Sequence, residues 1–328
     1  MAEPKLLGKE GAIDAVSAAV KSGRLSHALV VTGEKGIGKS VFADYICKLL
    51  FCENEQKPCS ACPACLKISK NIHPDVFKIY PAGKSETIGV KEIAVVKNNL
   101  FVKPNDADKK IFIIYSAERM NRFAQNSMLK MIEEPPEDSF FILTCQNSQA
   151  LLPTVRSRVT EVALSPASDD EVRAELLKRM PDLSNDKAER AARISCGNIG
   201  VALEIAEDGE LSQLYDSIGS IAEAMCDKDR ARLCLELGRF SKKKDEALRL
   251  AELLMLVFRD VCAALAGASE RLSGCDEAVK TLTKYLSVRS VLEGIDECQN
   301  FISAVNGNAN LALKLCSLEI RLGEIMRR

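Results

Sequence analysis

Ala28-Leu29-Val30-Val31, then Gly33-Glu34-Lys35-Gly36-Ile37-Gly38-Lys39-Ser40, then Val41-Phe42-Ala43-Asp44-Tyr45-Ile46: this stretch decides the fold. A short apolar run of strand length leads into the pattern G-x-x-x-x-G-K-[ST], and an apolar-periodic run of helical character follows it. The three glycines let consecutive backbone N–H groups turn around phosphate oxygens, and the helix beyond presents its positive dipole end to them. Lys39 would reach the β and γ phosphates and Ser40 would ligate Mg²⁺. ATP or ADP with Mg²⁺ is therefore expected at Gly33, Glu34, Lys35, Gly36, Ile37, Gly38, Lys39 and Ser40.

Hydrolysis by such a loop needs more. An acidic residue at the end of a second buried strand holds the metal through water, and a glutamate beside it usually activates the attacking water. The candidate strand Ile111-Phe112-Ile113-Ile114 runs into Tyr115-Ser116-Ala117, where no carboxylate stands. Glu118 comes only beyond that point and reads as a solvated turn residue, with substitution for the missing acid as the alternative reading. ATP turnover by this chain alone is not expected.

Around this core, short apolar runs at Ala28–Val31, Val76–Tyr80, Ile111–Ile114, Phe140–Thr144 and Val162–Leu164 alternate with amphipathic segments. That alternation predicts a parallel sheet with helices on both faces, its strands buried on both sides. A helix over Asn126–Glu134 is stopped by Pro135-Pro136. Ser165-Pro166 marks a boundary, after which only helical patterns remain. Ser168-Asp169-Asp170-Glu171 is a capping signal opening a segment, 167–208, that three short helices would fill, with Gly197-Asn198 turning into the last. Long helical patterns such as Leu248–Leu265 and Leu311–Met326 make 209–328 a bundle. The expected fold is thus an α/β phosphate-loop domain over 1–166, a small three-helix domain over 167–208 and an all-α domain over 209–328. The run Lys242-Lys243-Lys244 reads most simply as a solvated turn.

The chain has 328 residues, a net charge of −1 and 28% charged residues, so nothing global marks it as a nucleic-acid binder. Any DNA contact would come from a local patch or from partner subunits. Met1-Ala2-Glu3-Pro4-Lys5 lacks the basic and apolar regions of a signal peptide, and no run approaches membrane-spanning length, which predicts a cytoplasmic protein without membrane contact. There are 13 cysteines, an odd number. Most are scattered singly in helical patterns, among them Cys234, Cys262 and Cys316, and read as reduced core residues.

Four cysteines gather differently, as Cys52-x₆-Cys59-x₂-Cys62-x₂-Cys65. Pro58 and Pro63 break any helix through the cluster, so Cys59 and Cys62 can share a knuckle while Cys52 and Cys65 close a tetrahedron from flanking helices. Four thiolates leave no open coordination position, which predicts a structural Zn²⁺ rather than a catalytic one. The two histidines, His27 and His73, have no partners that would build a catalytic triad and read as hydrogen-bonding residues.

Taken together, Gly23-Arg24-Leu25-Ser26-His27-Ala28, the phosphate loop, the cysteine insert, His73-Pro74-Asp75, Asn126-Ser127-Met128-Leu129-Lys130-Met131-Ile132-Glu133-Glu134-Pro135-Pro136 and Arg156-Ser157-Arg158 resemble the bacterial DNA polymerase III clamp-loader family. The resemblance spans nearly the whole chain and implies an AAA+ module followed by a lid and a helical collar through which subunits form a ring. Motor members of the family carry an Asp-Glu pair where Tyr115-Ser116 stand here, and a lid arginine where Gly200 stands. Their Ser-Arg-Cys motif survives as Ser157-Arg158-Val159. The resemblance is therefore to the delta-prime type of subunit, with Arg158 as an arginine finger reaching the γ-phosphate held by a neighbour. Its implied partners are the motor subunits and the delta subunit and, through the complex, the sliding clamp and primed DNA. A motor-type ATPase of the gamma/tau kind and a zinc-bearing nucleic-acid-binding module are the alternative readings.

Overall fold

The computed structural model describes residues 6–83, 86–207, 209–268 and 272–326. They form two compact units: one takes the described residues up to Glu171 together with Gly197–Gly200, the other Val172–Cys196 and the residues from Val201 onward.

In the first unit, helix α1 (Glu10–Lys21) precedes β1 (Ala28–Thr32), followed by α2 (Lys39–Phe51), α3 (Pro63–Ser69), β2 (Val76–Ile79), α4 (Val90–Leu100) and β3 (Lys110–Ile114). Then come a 3-10 turn (Ala117–Arg119), α5 (Arg122–Glu133), β4 (Ser139–Cys145), a second 3-10 turn (Ser148–Ala150), α6 (Pro153–Arg156) and β5 (Thr160–Ala163). The strands make a parallel sheet of order β2-β3-β4-β1-β5, with Val30 level with Leu143 on one side and Glu161 on the other. The apolar runs correspond to the strands expected of them. Side chains alternate between faces with a period of two. Leu29, Val31, Ile111, Ile113 and Ile142 pack with Phe42 and Ile46 of α2, while Val30, Phe112, Ile114, Phe141 and Leu143 pack with Ile93, Val96, Met128 and Ile132 of α4 and α5. Both faces of β1 and β3 are therefore apolar and buried, as a parallel sheet covered on two sides requires. Burial on both sides fails at the edges: β5 is mostly exposed and β2 only partly covered, because each has a neighbour on one side alone.

The expected stop at Pro135 holds, and α5 begins earlier than predicted because Asn121 caps it by accepting from the Ala124 N–H at 2.9 Å. Asp75, of the His73-Pro74-Asp75 motif, organises the approach to β3. Its carboxylate accepts from the backbone N–H groups of Asn105, Asp106 and Ala107 at 2.7, 2.7 and 3.0 Å, and from the Asn105 side chain at 3.2 Å. Burial alone would raise its pKa, but these donors more than offset that and leave the carboxyl below its usual range. Both histidines play hydrogen-bonding parts, His27 through Nε2 to the Ile132 carbonyl at 2.8 Å and His73 by accepting from the Asp75 N–H at 3.2 Å.

Helix α7 (Asp169–Arg179) opens on the capping box read from the sequence: the Ser168 N–H donates to the Glu171 carboxylate at 2.9 Å, and the Glu171 N–H to Ser168 Oγ at 3.3 Å. Helices α8 (Asn185–Ser195) and α9 (Ile199–Ala206) complete the three expected in 167–208. The second unit continues with α10 (Glu210–Cys226), α11 (Arg230–Gly238), α12 (Lys244–Leu265), α13 (Asp276–Thr283), α14 (Val288–Asn306) and α15 (Leu311–Ile325). Its core brings Ile218 and Ile221 of α10, Leu254 and Phe258 of α12, Val291 and Phe301 of α14 and Leu322 of α15 together. Helices α12 and α14 pack closely at Gly294, where a Cβ would lie 2.9 Å from the Phe258 ring.

The scattered cysteines are all free thiols, but two of the expected core positions need correcting. Cys234 and Cys316 are exposed, because each stands off the buried stripe of its amphipathic helix, whereas Cys262 is half-buried and packs against the helical core. Lys242, Lys243 and Lys244 are exposed; Lys243 pairs with Glu246 at 2.7 Å and Lys244 donates to Asn308 Oδ1 at 3.5 Å. No helix among the described residues is long and apolar enough to cross a membrane.

Candidate functional site

The phosphate loop joins β1 to α2 at the carboxyl end of the sheet, where open α/β sheets bind ligands. Three of its residues have left-handed backbone: Gly33 at φ 147°, Gly36 at 91° and Gly38 at 103°. A side chain would strain the turn at each of them; the pattern itself demands glycine at Gly33 and Gly38, and the backbone adds Gly36. Gly38 stands at the N-cap of α2, and no side chain caps that end, so the first amide groups of the helix face the loop. The Lys39 ammonium donates to the Gly33 carbonyl at 2.6 Å and the Glu34 carbonyl at 2.7 Å, folding back over its own loop. Burial lowers its pKa, opposed first by the Glu118 carboxylate, then by Cys145 and Glu34.

The end of β3 is built for packing. Tyr115 is buried in the α2-side core and stacks on Tyr80 with ring centroids 4.7 Å apart. Ser116 adopts a left-handed conformation at φ 52°, and its N–H donates to Thr144 Oγ1 at 3.1 Å. This kink ends the strand, and the Glu118 carboxylate beyond it is among the charges that act on Lys39. The expectation of a solvated turn residue is wrong here: Glu118 is half-buried, and its Oε2 is fully buried with no hydrogen-bond partner. A turn signal predicts the kink but not which way the next carboxylate is carried.

A second contact on the loop was invisible in the sequence. The Asn198 side chain is buried and donates through Nδ2 to the Lys35 carbonyl at 2.8 Å, while the Gly200 N–H donates to the Gly36 carbonyl at 3.1 Å. A Cβ at Gly200 would lie 2.7 Å from the Gly36 Cα, and one at Gly36 would lie 2.6 Å from Asn198 Oδ1. Position 200 thus has no room for any side chain, an arginine included. The Gly197-Asn198 pair signals only a turn, and its destination is a tertiary fact.

Arg158 follows α6 on the surface of the same unit. Its Nε lies 2.6 Å from Glu133 Oε1, and it also donates to the Thr154 carbonyl at 2.9 Å and Ser157 Oγ at 3.1 Å. Its side chain keeps 38% of its exposure, so the guanidinium is both positioned and accessible.

The cysteine quartet sits where α2 ends and α3 begins, with Cys52 at the C-cap of α2, Cys62 at the N-cap of α3 and Pro63 as the first residue of α3. The four sulfur atoms lie within 4.8 Å of one another. That spread suits one tetrahedral ion with metal–sulfur bonds of about 2.3 Å. Backbone N–H groups already favour thiolate: Cys59 N–H donates to Cys52 Sγ at 3.4 Å and Cys62 N–H to Cys59 Sγ at 3.3 Å. Donors from Ala61 and Cys62 draw the Cys59 thiol down to about 6, whereas burial pushes that of Cys65 up to about 12. The quartet could hold a metal ion.

Residues 8–168 match the family described as "DNA polymerase III, delta subunit". The delta-prime subunit of DNA polymerase III from Bacillus subtilis (strain 168) is 28% identical over 258 residues, covering 77% of this chain and 77% of that protein. The delta-prime subunit from Escherichia coli (strain K12) is 29% identical over 190 residues, 57% of each chain. The tau subunit of Bacillus subtilis (strain 168) is 26% identical over 320 residues, which cover 89% of this chain and 56% of that one.

Proposed function

Because the chain belongs to the clamp-loader subunit family of DNA polymerase III, we propose that it is a delta-prime-like subunit that holds nucleotide without hydrolysing it and completes a neighbour's ATP site. The observation that carries this reading is an intact loop beside a β3 end, Tyr115-Ser116, that offers no carboxylate. Gly200, pressed on the Gly36 backbone, supports it, since the second catalytic position of the motor subunits cannot be filled.

Arg158 is the group that acts elsewhere. Exposed and tethered by Glu133, it would enter the ATP site of the adjacent motor subunit and stabilise charge on the transferring phosphoryl group, an effect worth roughly 10³–10⁵ in rate. The partners are accordingly the motor subunits and the delta subunit. The assembled cytoplasmic loader would place the sliding clamp on primed DNA, with 1–166 as the AAA+ module, 167–208 as lid and 209–328 as collar. Within this chain Gly33–Ser40 would hold ATP or ADP: the loop amides and Lys39 take the phosphates, and Ser40 takes Mg²⁺, which neutralises phosphate charge when bound. Cys52, Cys59, Cys62 and Cys65 would hold a structural Zn²⁺.

The deciding experiment measures nucleotide binding and hydrolysis by the isolated chain, then hydrolysis after mixing with motor subunits and clamp. Binding without turnover, together with stimulation of the partners that Arg158→Ala removes, is the expected result. The complete loop favours one competing reading, a motor-type ATPase. Turnover by the isolated chain that Lys39→Ala abolishes would establish that reading instead.

A further inference from the structure

Among the acids around the loop, most are already engaged. Glu161 on β5 accepts from Thr32 Oγ1 and Ser148 Oγ, each at 2.8 Å, and Asp44 on α2 accepts from Lys78 at 2.6 Å. Glu118 differs, because its Oε2 is shut away from solvent and accepts nothing from the protein. A buried carboxylate oxygen without a donor costs free energy and calls for an explanation. The surroundings supply one. The Glu118 carboxylate opposes the lowering of the Lys39 pKa by burial, and with burial it raises that of Cys145 at the end of β4, which puts it beside both. Both β3 and β4 run parallel to β1, so Glu118 stands at the same end of the sheet as the phosphate loop.

We propose that Glu118 is the metal-side carboxylate of this loop, displaced past the Ser116 kink from the strand-end position that Tyr115 has given up to the core. With nucleotide at Gly33–Ser40, it would face the Mg²⁺ that Ser40 ligates, and the ion with its water would satisfy the orphaned oxygen. Mg²⁺ prefers one or two carboxylates together with phosphate oxygens and retained water, and a single displaced glutamate meets that need. The role is in holding the metal–nucleotide complex and asks for no hydrolysis. It rests on the nucleotide-binding part of the proposed function.

The test is ADP binding by the full chain, read by calorimetry with Mg²⁺ and with EDTA, for the wild type, Glu118→Gln, Glu118→Asp and Lys39→Ala. Mg²⁺ is expected to tighten wild-type binding by about tenfold. Glu118→Gln, which keeps the shape, should lose most of that gain while binding in EDTA stays equal or improves, because a charge repelling phosphate is gone. Glu118→Asp should retain part of the gain, and Lys39→Ala should weaken binding under both conditions. Wild type that binds ADP with no gain from Mg²⁺, or Glu118→Gln that keeps the full gain, overturns the role of Glu118 alone. Wild type that binds no nucleotide under either condition overturns the nucleotide-binding reading and this inference with it.

Discussion

Arg158 Nε lies 2.6 Å from Glu133 Oε1, so the guanidinium that follows α6 is held by the last residue of α5. Two elements of the first unit thus fix the direction of a side chain that stays accessible. Because both partners are substantially exposed, the pair itself is worth no more than about 1 kcal/mol.

Arg158→Ala should therefore leave the melting temperature of the chain nearly unchanged and leave the loader assembled, while clamp- and DNA-stimulated ATPase of the complex falls at least tenfold. Glu133→Gln, which releases the arginine without removing it, should cost less than Arg158→Ala. Steady-state ATPase of reconstituted loader, alongside gel filtration, measures both. Undiminished ATPase with Arg158→Ala would remove the finger role.

Gly200→Ala should destabilise the first unit and weaken nucleotide binding. Alanine gains roughly 0.5–1 kcal/mol of helix propensity over glycine. Here the new Cβ would sit 2.7 Å from Gly36 Cα, against backbone that cannot swing aside. Overpacking of that kind costs about 1–3 kcal/mol, so the clash wins. Urea unfolding and ADP titration give the two readouts, and a stabilised variant would show that the 197–200 segment yields to the loop.

Zinc should copurify at one ion per chain, as measured by elemental analysis, and Cys59→Ser should lower that occupancy sharply. Four convergent thiolates contribute folding free energy only while metal holds them. Chelation should therefore lower the melting temperature and open the α2–α3 junction to protease. Far-UV circular dichroism should change little, since the sheet core does not depend on the quartet. Metal-free protein with unaltered melting would refute a structural ion.

Acid should weaken the first unit through Asp75. Its folded pKa lies below the unfolded value of about 3.9, so its contribution is fully present above that value and is lost as pH falls through the folded one. Asp75→Asn should cost about 1–3 kcal/mol at neutral pH, because buried backbone donors lose their charged acceptor. It should also flatten the decline in stability below about pH 4. Urea midpoints of the two proteins across the acid range compare these slopes directly.

Much of this could be read locally. The apolar runs gave the strands, Ser168 and Glu171 gave a cap, Pro135 gave a stop, and Cys52 to Cys65 gave a convergent quartet, because each depends on neighbours a few residues apart. The assignment of Cys234 and Cys316 to the core failed for a related reason: composition marks cysteine as a small hydrophobe, but only helix rotation says which face it occupies.

The sequence by itself determined that a phosphate loop joins a buried strand to a helix, since glycine at positions of positive φ and a Lys-Ser pair at the helix start are local requirements. Tertiary structure alone decided what surrounds that loop. The approach of Asn198 and Gly200, the burial of Glu118 Oε2 and the pairing of Arg158 with Glu133 join segments far apart in the chain. Local chemistry sets the conformation of a residue, whereas its partner is set by how the sheet, its helices and their connections pack in space.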